Sequence, residues 1–508
     1  MQVLLPALLL AAASLVPAQT HIKTPTDTRF SKRIDALIRK SPSVQRGYLG
    51  YQFMDVLTGK ILAEENSRRF FTPASNAKLY TTALALTRLG PGYTFQTDLR
   101  TTGPWTPGQP TLRDLQLVGG GDPNLSGRTI PYRVDAPTGD PLAVLRELAG
   151  QLFAKGVREI DGDVTGVSTR YPDDRYPDGW TLDDDIYGYG APVSALAVND
   201  NIVSLKVKPG DEGQLATIEL QPATGNFIIL NEVVTDGSRK CEIQITRPPG
   251  SNELVLRGII GRFSSAWEQD VAVDDPALFA AESLIQVLRD TGIIVRGVAR
   301  SEYRPASEPS DAACSLPPAP EQQLEAVIAS HRSAPLGQII QVVNKTSQNL
   351  HAEMLLREVA RTTEGEGSLA CGLKEREKFL SEIAITKDGS GFFFSDGSGL
   401  ARQDLTTPGS TVSLLRSLWA SPNRLVWLDS LPIGGVDGSL EHRFHHIRNA
   451  NRIHAKTGSL SHVNALSGYI ETSRRRWIAF SIMVNATPNH TEDVQTFLDK
   501  LSAIFLND

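Results

Sequence analysis

Hydrophobic and polar positions in the last hundred residues follow helical and strand-like patterns. Apolar side chains recur at helical spacing over residues 491–506, which predicts an amphipathic helix packed against the rest of the protein. Before it, residues 452–460, 464–471 and 477–485 are β-like, and a polar turn joins the last two runs. Residues 407–420 begin with a Thr-Pro pair, which is typical of a capped helix start. We therefore expect an antiparallel sheet flanked by helices.

The middle of the chain, from about residue 93 to residue 275, consists of many short β-like runs separated by Gly, Pro and Asp. Residues 201–208, 215–220 and 254–260 are examples. This pattern predicts one or two mainly β domains. The segment 305–320 is rich in Pro, Ser and Ala, which is typical of a linker or surface loop.

The N-terminal end is almost wholly apolar between Val3 and Ala18 and is too short to span a bilayer. It ends at the small-residue pattern Val16-Pro17-Ala18, so residues 1–18 are expected to be a secretory signal peptide, although no Lys or Arg precedes the apolar run. No later segment is long and apolar enough to be a transmembrane anchor. The C-terminal amphipathic run lacks a basic membrane-binding face. We expect export to the periplasm or cell envelope.

Composition narrows the class of protein. Of the 508 residues, 40% are hydrophobic and 21% charged, as in globular proteins, and a net charge of −6 argues against nucleic acid as a partner. An oxidising compartment would pair two of the three cysteines; we favour Cys314 with Cys371 and leave Cys241 free, although the sequence does not fix the pairing. The cluster His442, His445 and His446 lacks an intervening Glu, so we interpret it as a solvated basic stretch and predict no metal site.

The most informative motif is Ser75-Asn76-Ala77-Lys78. A Thr-Pro pair precedes it, so residues 74–89 are expected to form a helix with Ser75 in its first turn. Lys78 follows three residues later and shares a helix face with Ser75. A lysine can remove a serine proton only when it is neutral, which requires burial or a nearby cation. The alternative is an ordinary helix start with a surface Ser and Lys.

Two further motifs follow in order along the chain. Ser347-Gln348-Asn349 precedes a helical pattern, and on a tight turn between helices Ser347 and Asn349 would point into one cleft. Lys456-Thr457-Gly458 lies in the predicted strand 452–460, where an edge position would let Lys456 and Thr457 meet a carboxylate. Gly458 would leave room for a substrate to approach. The alternative for the second motif is an ordinary helix cap, and the alternative for the third is a surface lysine in a strand.

The three ordered motifs resemble those of D-alanyl-D-alanine carboxypeptidases/endopeptidases of the penicillin-binding protein 4 type, the low-molecular-mass class C penicillin-binding proteins. The resemblance covers most of the chain after residue 25. Two departures are the Gln at position 348, where the family usually has Asn, and the lack of an acidic residue near Ser168 that would meet a diaminopimelate amine. Further phrases support the resemblance: Gly120-Gly121-Asp122-Pro123-Asn124-Leu125, Gly179-Trp180, Ala191-Pro192-Val193-Ser194-Ala195-Leu196, Asp396-Gly397-Ser398-Gly399-Leu400, and Leu431-Pro432-Ile433 with Gly435-Val436-Asp437-Gly438.

This resemblance implies a mechanism and a site. Ser75 would attack the carbonyl of a D-Ala-D-Ala peptide or of a peptidoglycan cross-link, with Lys78 as base and without a cofactor or metal. Penicillins and other β-lactams would acylate the same serine as inhibitors. Ser347 and Asn349 would pass a proton to the leaving amine and hold the substrate amide. Lys456 and Thr457 would bind the terminal carboxylate of the substrate beside Gly458. The backbone N–H groups of Ser75 and Ser459 would form the oxyanion hole.

The spacing of the motifs predicts the architecture. Ser75 and Ser347 are 272 positions apart, and Asn349 and Lys456 are 107 apart, yet the three motifs must meet in one cleft. We therefore expect an α+β fold in which a serine β-lactamase/transpeptidase-like catalytic domain, residues 25–92 and 276–508, is interrupted by mainly β insertions in residues 93–275. Two other functions are considered: a β-lactamase-like hydrolase, and a non-catalytic peptidoglycan-binding protein with a relic site. The sequence leaves the oligomeric state open.

Overall fold

The computed structural model describes residues 28–137, 139–223, 227–248, 250–306, 314, 326–386, 391–488 and 491–507. The predicted signal peptide and nearly all of the predicted linker lie outside these residues. Among the described residues, no helix combines the length and the apolar character needed to cross a bilayer.

Helices and short strands alternate along the described chain, so the fold is α+β, as predicted. The helices are α1 (Thr28–Arg39), α2 (Pro42–Arg46), α3 (Ala77–Arg88), α4 (Ala143–Ala154), α5 (Pro276–Asp290), α6 (Leu336–Lys345), α7 (Asn349–Glu364), α8 (Leu369–Glu382), α9 (Pro408–Ala420), α10 (Arg424–Ser430) and α11 (Thr491–Ala503). The strands are β1 (Tyr48–Asp55), β2 (Ile61–Glu65), β3 (Gln96–Thr101), β4 (Thr111–Leu112), β5 (Leu115–Val118), β6 (Glu159–Ile160), β7 (Val164–Pro172), β8 (Ile202–Lys208), β9 (Thr217–Gln221), β10 (Ile228–Asp236), β11 (Cys241–Thr246), β12 (Glu253–Gly261), β13 (Trp267–Ala272), β14 (Ile294–Val295), β15 (Ala299–Arg304), β16 (Ala326–Arg332), β17 (Phe392–Phe393), β18 (Leu405–Thr406), β19 (Ile453–Leu460), β20 (Val463–Glu471) and β21 (Trp477–Asn485).

An antiparallel sheet in the order β19-β20-β21-β1-β2 joins the two ends of the chain. Strand β19 is its edge strand, as the sequence predicts, and β20 and β21 lie within one residue of their predicted bounds. Helix α11 packs on one face, where the rings of Phe53 and Phe505 stack with centroids 4.2 Å apart. Each buried ring stabilises the fold by about 1.5–3 kcal/mol. The predicted amphipathic C-terminal helix is therefore a core helix.

Helices α3, α6, α7 and α9 form a second core with the opposite face of the sheet. Almost every residue of α3 is buried, including Tyr80, whose hydroxyl lies 2.9 Å from the Oγ1 atoms of Thr406 and Thr411. The predicted cap of α9 is present, since Thr407 Oγ1 accepts a hydrogen bond from Ser410 N at 3.0 Å. This core encloses the helix that carries Lys78.

The chain between these halves builds several smaller sheets, in the orders β15-β7-β5-β3-β16, β13-β8-β9, β10-β12-β11 and β14-β6-β4. Strands therefore dominate this region, as predicted, but α4 is a helix that the sequence analysis does not predict. Leu145, Leu148 and Leu152 of α4 are buried in the same core as α5. The sequence pattern of α4 did not identify it as a helix, because a short apolar run of this kind also fits a buried strand.

The predicted boundary at residue 275 does not divide the cores. Helix α5 and strands β14, β15 and β16 follow that position, yet they pack or pair with earlier strands; β16 pairs antiparallel with β3. We therefore propose that the insertion extends to Arg332, and we call residues 93–332 the inserted part. The β-like pattern in the sequence ends at residue 275, but the sheets and hydrophobic core of this region also include α5, β14, β15 and β16.

Cys314 and Cys371 form a disulfide, as favoured above, and Cys241 is free and exposed. The bond joins the chain shortly before β16 to the first turn of α8. The side chain of His442 is 88% exposed. Within the described residues, no three His, Cys, Asp or Glu side chains are arranged to hold a metal ion.

Candidate active site

The three motifs meet in one cleft. Lys78 Nζ lies 2.9 Å from Ser75 Oγ and 2.5 Å from Asn349 Oδ1, and Lys456 Nζ lies 2.8 Å from Ser347 Oγ. Residues more than 270 positions apart are thus linked by direct hydrogen bonds. The structure places every residue of the predicted constellation in or beside this network.

Ser75 does not lie in the first turn of a continuous helix. A short 3₁₀ turn, Ala74–Asn76, precedes α3, and Ala74 has φ 48°, in the left-handed region that costs a non-glycine residue about 1–3 kcal/mol. The predicted Thr72 cap is also wrong, because Pro73 and Asn76 occupy the N-cap positions of the turn and of α3, without a side-chain cap bond. The Thr72 N–H donates to Asn485 Oδ1 at 2.8 Å. Tertiary contacts with the sheet therefore override the local helix signal. The turn leaves Ser75 partly exposed at the cleft.

Lys78 is completely buried, and burial lowers its pKa to about 7 against the opposing charges of Asp396 and Glu353. Its Nζ also donates to the Ser398 carbonyl oxygen at 2.8 Å. A neutral amine has two N–H groups and one lone pair. With the N–H groups directed to Asn349 Oδ1 and the Ser398 oxygen, the lone pair is left to accept the Ser75 proton.

The segment Asp396–Leu400 is folded around the Asp396 carboxylate, which accepts hydrogen bonds from three backbone N–H groups and from Trp180 Nε1 at 3.0 Å. Burial alone raises the pKa of Asp396, but these bonds and one from Asp404 lower it overall. Burial and the neighbouring Asp396 charge raise the pKa of Asp404 well above its usual range, so Asp404 is the protonated partner. This arrangement fixes the carbonyl oxygen that meets Lys78.

The second motif lies on the tight turn that the sequence predicts between two helices. Ser347, with φ 63°, separates α6 from α7, and Gln348 is the N-cap whose Oε1 accepts from Leu350 N at 3.0 Å. Asn349 Nδ2 donates to the Tyr189 carbonyl oxygen at 2.7 Å, so the inserted part contacts the motif directly. Ser347 and Asn349 therefore both face the cleft.

The third motif runs along the edge strand β19. Burial, followed by the charge of Lys78, lowers the pKa of Lys456 well below its usual range. Thr457 Oγ1 donates to Ser439 Oγ at 2.8 Å, and Ser459 is exposed. A Cβ on Gly458 would lie 2.5 Å from the Pro73 carbonyl oxygen. The glycine is thus required by the packing of β19 against the Ser75 turn.

The position that lacks an acidic residue does not face the cleft. Ser168 is buried, and its Oγ lies 2.8 Å from Ser194 Oγ and accepts from Ala195 N at 3.0 Å. Carboxylates lie instead near Tyr189, where Asp184 raises the tyrosine pKa after the larger effect of burial.

Sequence reasoning missed three residues of the inserted part that support the motifs: Trp180, Tyr189 and Asp200. Trp180 and the segment 191–196 were recognised as distinctive phrases, which was the available signal. Asp200 carried no local signal, because its partners Arg128, Gln348 and His351 are distant in sequence.

Comparison with known proteins agrees with this geometry. The sequence profile of the D-Ala-D-Ala carboxypeptidase 3 (S13) family matches residues 30–504. The chain is 32% identical over 495 residues to the D-alanyl-D-alanine carboxypeptidase of Actinomadura sp. (strain R39), covering 95% of this chain and 85% of that protein. It is 25% identical over 447 residues to the D-alanyl-D-alanine carboxypeptidase DacB of Haemophilus influenzae, covering 86% and 85%.

Solved structures show the same fold. The crystal structure of penicillin binding protein 4 (dacB) from Haemophilus influenzae superposes with a TM-score of 0.76 at 23% identity, covering 94% of this chain and 99% of that one. The same protein complexed with a β-lactam superposes with a TM-score of 0.71, covering 94% and 100%. The similarity extends over the inserted part as well as the sheet that carries β19.

Proposed function

This chain belongs to the D-Ala-D-Ala carboxypeptidase 3 (S13) family and is a serine-type D-Ala-D-Ala carboxypeptidase, and on this premise we propose that Ser75 carries the acyl group during turnover. The observation that supports Ser75 is its hydrogen bond with the buried Lys78, whose burial lowers its pKa to about 7. A buried amine of this kind is a base at neutral pH.

In the acylation step, neutral Lys78 takes the proton of the Ser75 hydroxyl, and Ser75 Oγ forms a bond to the carbonyl carbon of the penultimate D-Ala. Backbone N–H groups of Ser75 and Ser459 hold the developing oxyanion, and one such donor contributes about 3 kcal/mol to the transition state. The C–N bond then breaks. The leaving amine receives the proton from Lys78 through the hydroxyl of Ser347.

In the deacylation step, water adds to the ester carbon and loses a proton to Lys78. The bond to Ser75 Oγ breaks, and the oxygen recovers a proton as the free carboxylate leaves. Each cycle therefore consumes one water and releases the shortened peptide and one amine. No cofactor or metal takes part.

The third motif binds the C-terminal carboxylate of the substrate through Lys456 and Thr457. A bound carboxylate raises the pKa of Lys456 and restores its positive charge. That charge in turn keeps Lys78 neutral. A penicillin, which has a carboxylate next to a strained amide, acylates Ser75 in the same way. A D-Ala–diaminopimelate cross-link also presents a carboxylate beside the scissile amide, so we propose DD-endopeptidase activity as well.

The test of this proposal is covalent labelling of the purified protein with a fluorescent penicillin. We expect a stable adduct with the wild type and none with Ser75→Ala, whereas Ser381→Ala, on the exposed face of α8, labels normally. Labelling of Ser75→Ala at the wild-type level would refute the mechanism. Rapid turnover of the penicillin would support a β-lactamase-like hydrolase, and the absence of any labelling would support a relic site. Digestion of cross-linked and linear muropeptides then separates endopeptidase from carboxypeptidase action.

We also propose that the protein works outside the cytoplasm, in the periplasm or cell envelope, because peptidoglycan stem peptides are its substrate and the N-terminal sequence resembles a secretory signal. The disulfide between Cys314 and Cys371 supports an oxidising compartment.

A further inference from the structure

Asp200 lies in the inserted part but is surrounded by donors from both sides of the cleft. It is 5% exposed and lies on the 3₁₀ turn Asn199–Asn201 immediately before β8, where it has φ 54°. Both guanidinium nitrogens of Arg128 donate to its carboxylate, and His351 Nε2 lies 2.9 Å from Oδ1. Burial alone raises the pKa of Asp200, but Arg128 and then His351 lower it well below its usual range. Asp200 is therefore a buried, charged acceptor.

The fourth donor to Asp200 belongs to the second motif. Gln348 Nε2 donates to Asp200 Oδ2 at 2.8 Å, while Gln348 Oε1 accepts from Leu350 N. The side chain of Gln348 is thus held at both ends. Its two neighbours in the chain are Ser347 and Asn349, the residues that contact Lys456 and Lys78.

The turn that carries Ser347 needs such support. Ser347 has φ 63°, a conformation that costs a non-glycine residue about 1–3 kcal/mol and persists only when surrounding contacts impose it. Helix α7 fixes the position of Asn349. The hydrogen bond to Asp200 fixes the position of Gln348, which lies between Ser347 and Asn349 in the chain. His351, one turn along α7, adds a second link to Asp200.

We propose that Asp200 is a positioning residue for catalysis: it holds Gln348 and His351 so that Ser347 and Asn349 stay within hydrogen-bond reach of Lys456 and Lys78. The inserted part is then a component of the active site rather than an appendage. This inference rests on the proposed function, because it concerns the rate at which Ser75 is acylated.

The test compares acylation by a fluorescent penicillin in the wild type, Asp200→Asn and Gln348→Met. The Asn side chain keeps the shape of Asp200 but replaces one acceptor oxygen with a donor, and Met keeps the length of Gln348 without its N–H groups. We expect each variant to lower the acylation rate constant about 10- to 100-fold, the usual cost of a displacement of about 1 Å at a reacting group, with little change in the penicillin dissociation constant. Because the bond between Gln348 and Asp200 is lost in both variants, their effects overlap, and the double variant should lose less than the product of the two single losses.

Asp98→Asn is the matched control. Asp98 is also 5% exposed, lies in the inserted part and accepts from Arg100 Nη2 at 3.0 Å and Ser330 Oγ at 2.7 Å, but the described contacts do not lead from it to a motif. This variant should change the melting temperature and leave the acylation rate within about twofold of the wild type. If Asp200→Asn does not fold, Gln348→Met alone carries the comparison.

The outcomes separate the two proposals. A wild type that is not acylated refutes the proposed function. A wild type that is acylated, with Asp200→Asn or Gln348→Met within twofold of it, overturns the positioning role. Equal losses in Asp200→Asn and Asp98→Asn, or losses that multiply in the double variant, also overturn it, because either result means general destabilisation.

Discussion

Lys78, the base in the proposed mechanism, shows how surroundings change the pKa of a common side chain. It is fully buried on α3, and the carboxylates of Asp396 and Glu353 limit the fall of its pKa to about 7. Fewer carboxylates would leave a lysine too weakly basic to take the serine proton, and less burial would leave it protonated. The pairing with Ser75 could be predicted from a spacing of three, whereas the enclosing groups could not, because they come from α7 and from the segment Asp396–Leu400.

The acylation rate should therefore follow the protonation of Lys78. Because only the neutral amine accepts the Ser75 proton, we expect the second-order rate constant for acylation to rise about tenfold per pH unit below pH 7 and to level off above it. Stopped-flow labelling with penicillin between pH 5 and pH 9 measures this. Lys78→Arg, which cannot lose its proton, should lower the rate about 10²–10⁴-fold and remove the rise. A flat wild-type profile over this range would exclude Lys78 as the base.

Strand β19 packs directly against the 3₁₀ turn Ala74–Asn76 in the cleft. Gly458 allows this contact, because it has no Cβ to collide with the Pro73 carbonyl oxygen. The strand bounds were predictable because apolar residues, turn residues and β-branched residues agree locally. The 3₁₀ turn was not predictable, because Ala74, with φ 48°, depends on a residue that is distant in sequence. Gly399 leaves room for the Ala74 carbonyl oxygen, and a Cβ on Gly399 would lie 1.9 Å from this oxygen. Local propensity predicts regular elements and fails where two elements deform each other.

Gly458→Ala should separate these two elements. The added Cβ would lie 2.5 Å from the Pro73 oxygen, so β19 must move away from Ser75, and we expect acylation to fall about 100-fold. Gly150→Ala is the control, because no atom lies within 4 Å of its added Cβ on α4 and alanine favours a helix by about 1 kcal/mol. Penicillin labelling and thermal unfolding measure both effects. Normal labelling of Gly458→Ala would show that the contact is not needed for the site.

Partly buried polar contacts, as well as the chain itself, join the inserted part to helix α7 and to the segment that contains Asp396. Trp180 bonds to Asp396, Tyr189 to Asn349 and Asp200 to Gln348. The large insertion followed from the distance between motifs in the sequence. The C-terminal end that we propose for the insertion could not be predicted, because α5 and β16 complete a core whose other members lie before residue 275. Sequence patterns report the type of an element better than the core to which it belongs.

The disulfide should stabilise the whole molecule. Its sequence separation is 57, and closing a loop of that length stabilises a protein by about 4 kcal/mol in the chain-entropy treatment. We expect Cys371→Ser to lower the free energy of unfolding by several kcal/mol, measured by denaturant unfolding. Cys241→Ser, at the exposed free thiol, is the control and should change it by less than about 0.5 kcal/mol. Equal unfolding curves for wild type and Cys371→Ser would contradict this.

Strand β1 leaves the ribosome early, whereas β21, its hydrogen-bonded neighbour, is among the last segments to be made. Contacts so distant in sequence form slowly, because the loop between them must first be ordered. Until the sheet that contains β19 is complete, Ser75 has no Lys456 in its cleft. The order of synthesis therefore sets when activity can arise: a chain that ends before β19 carries Ser75 but not Lys456, and we expect it to hydrolyse no peptide until the full length is made and folded.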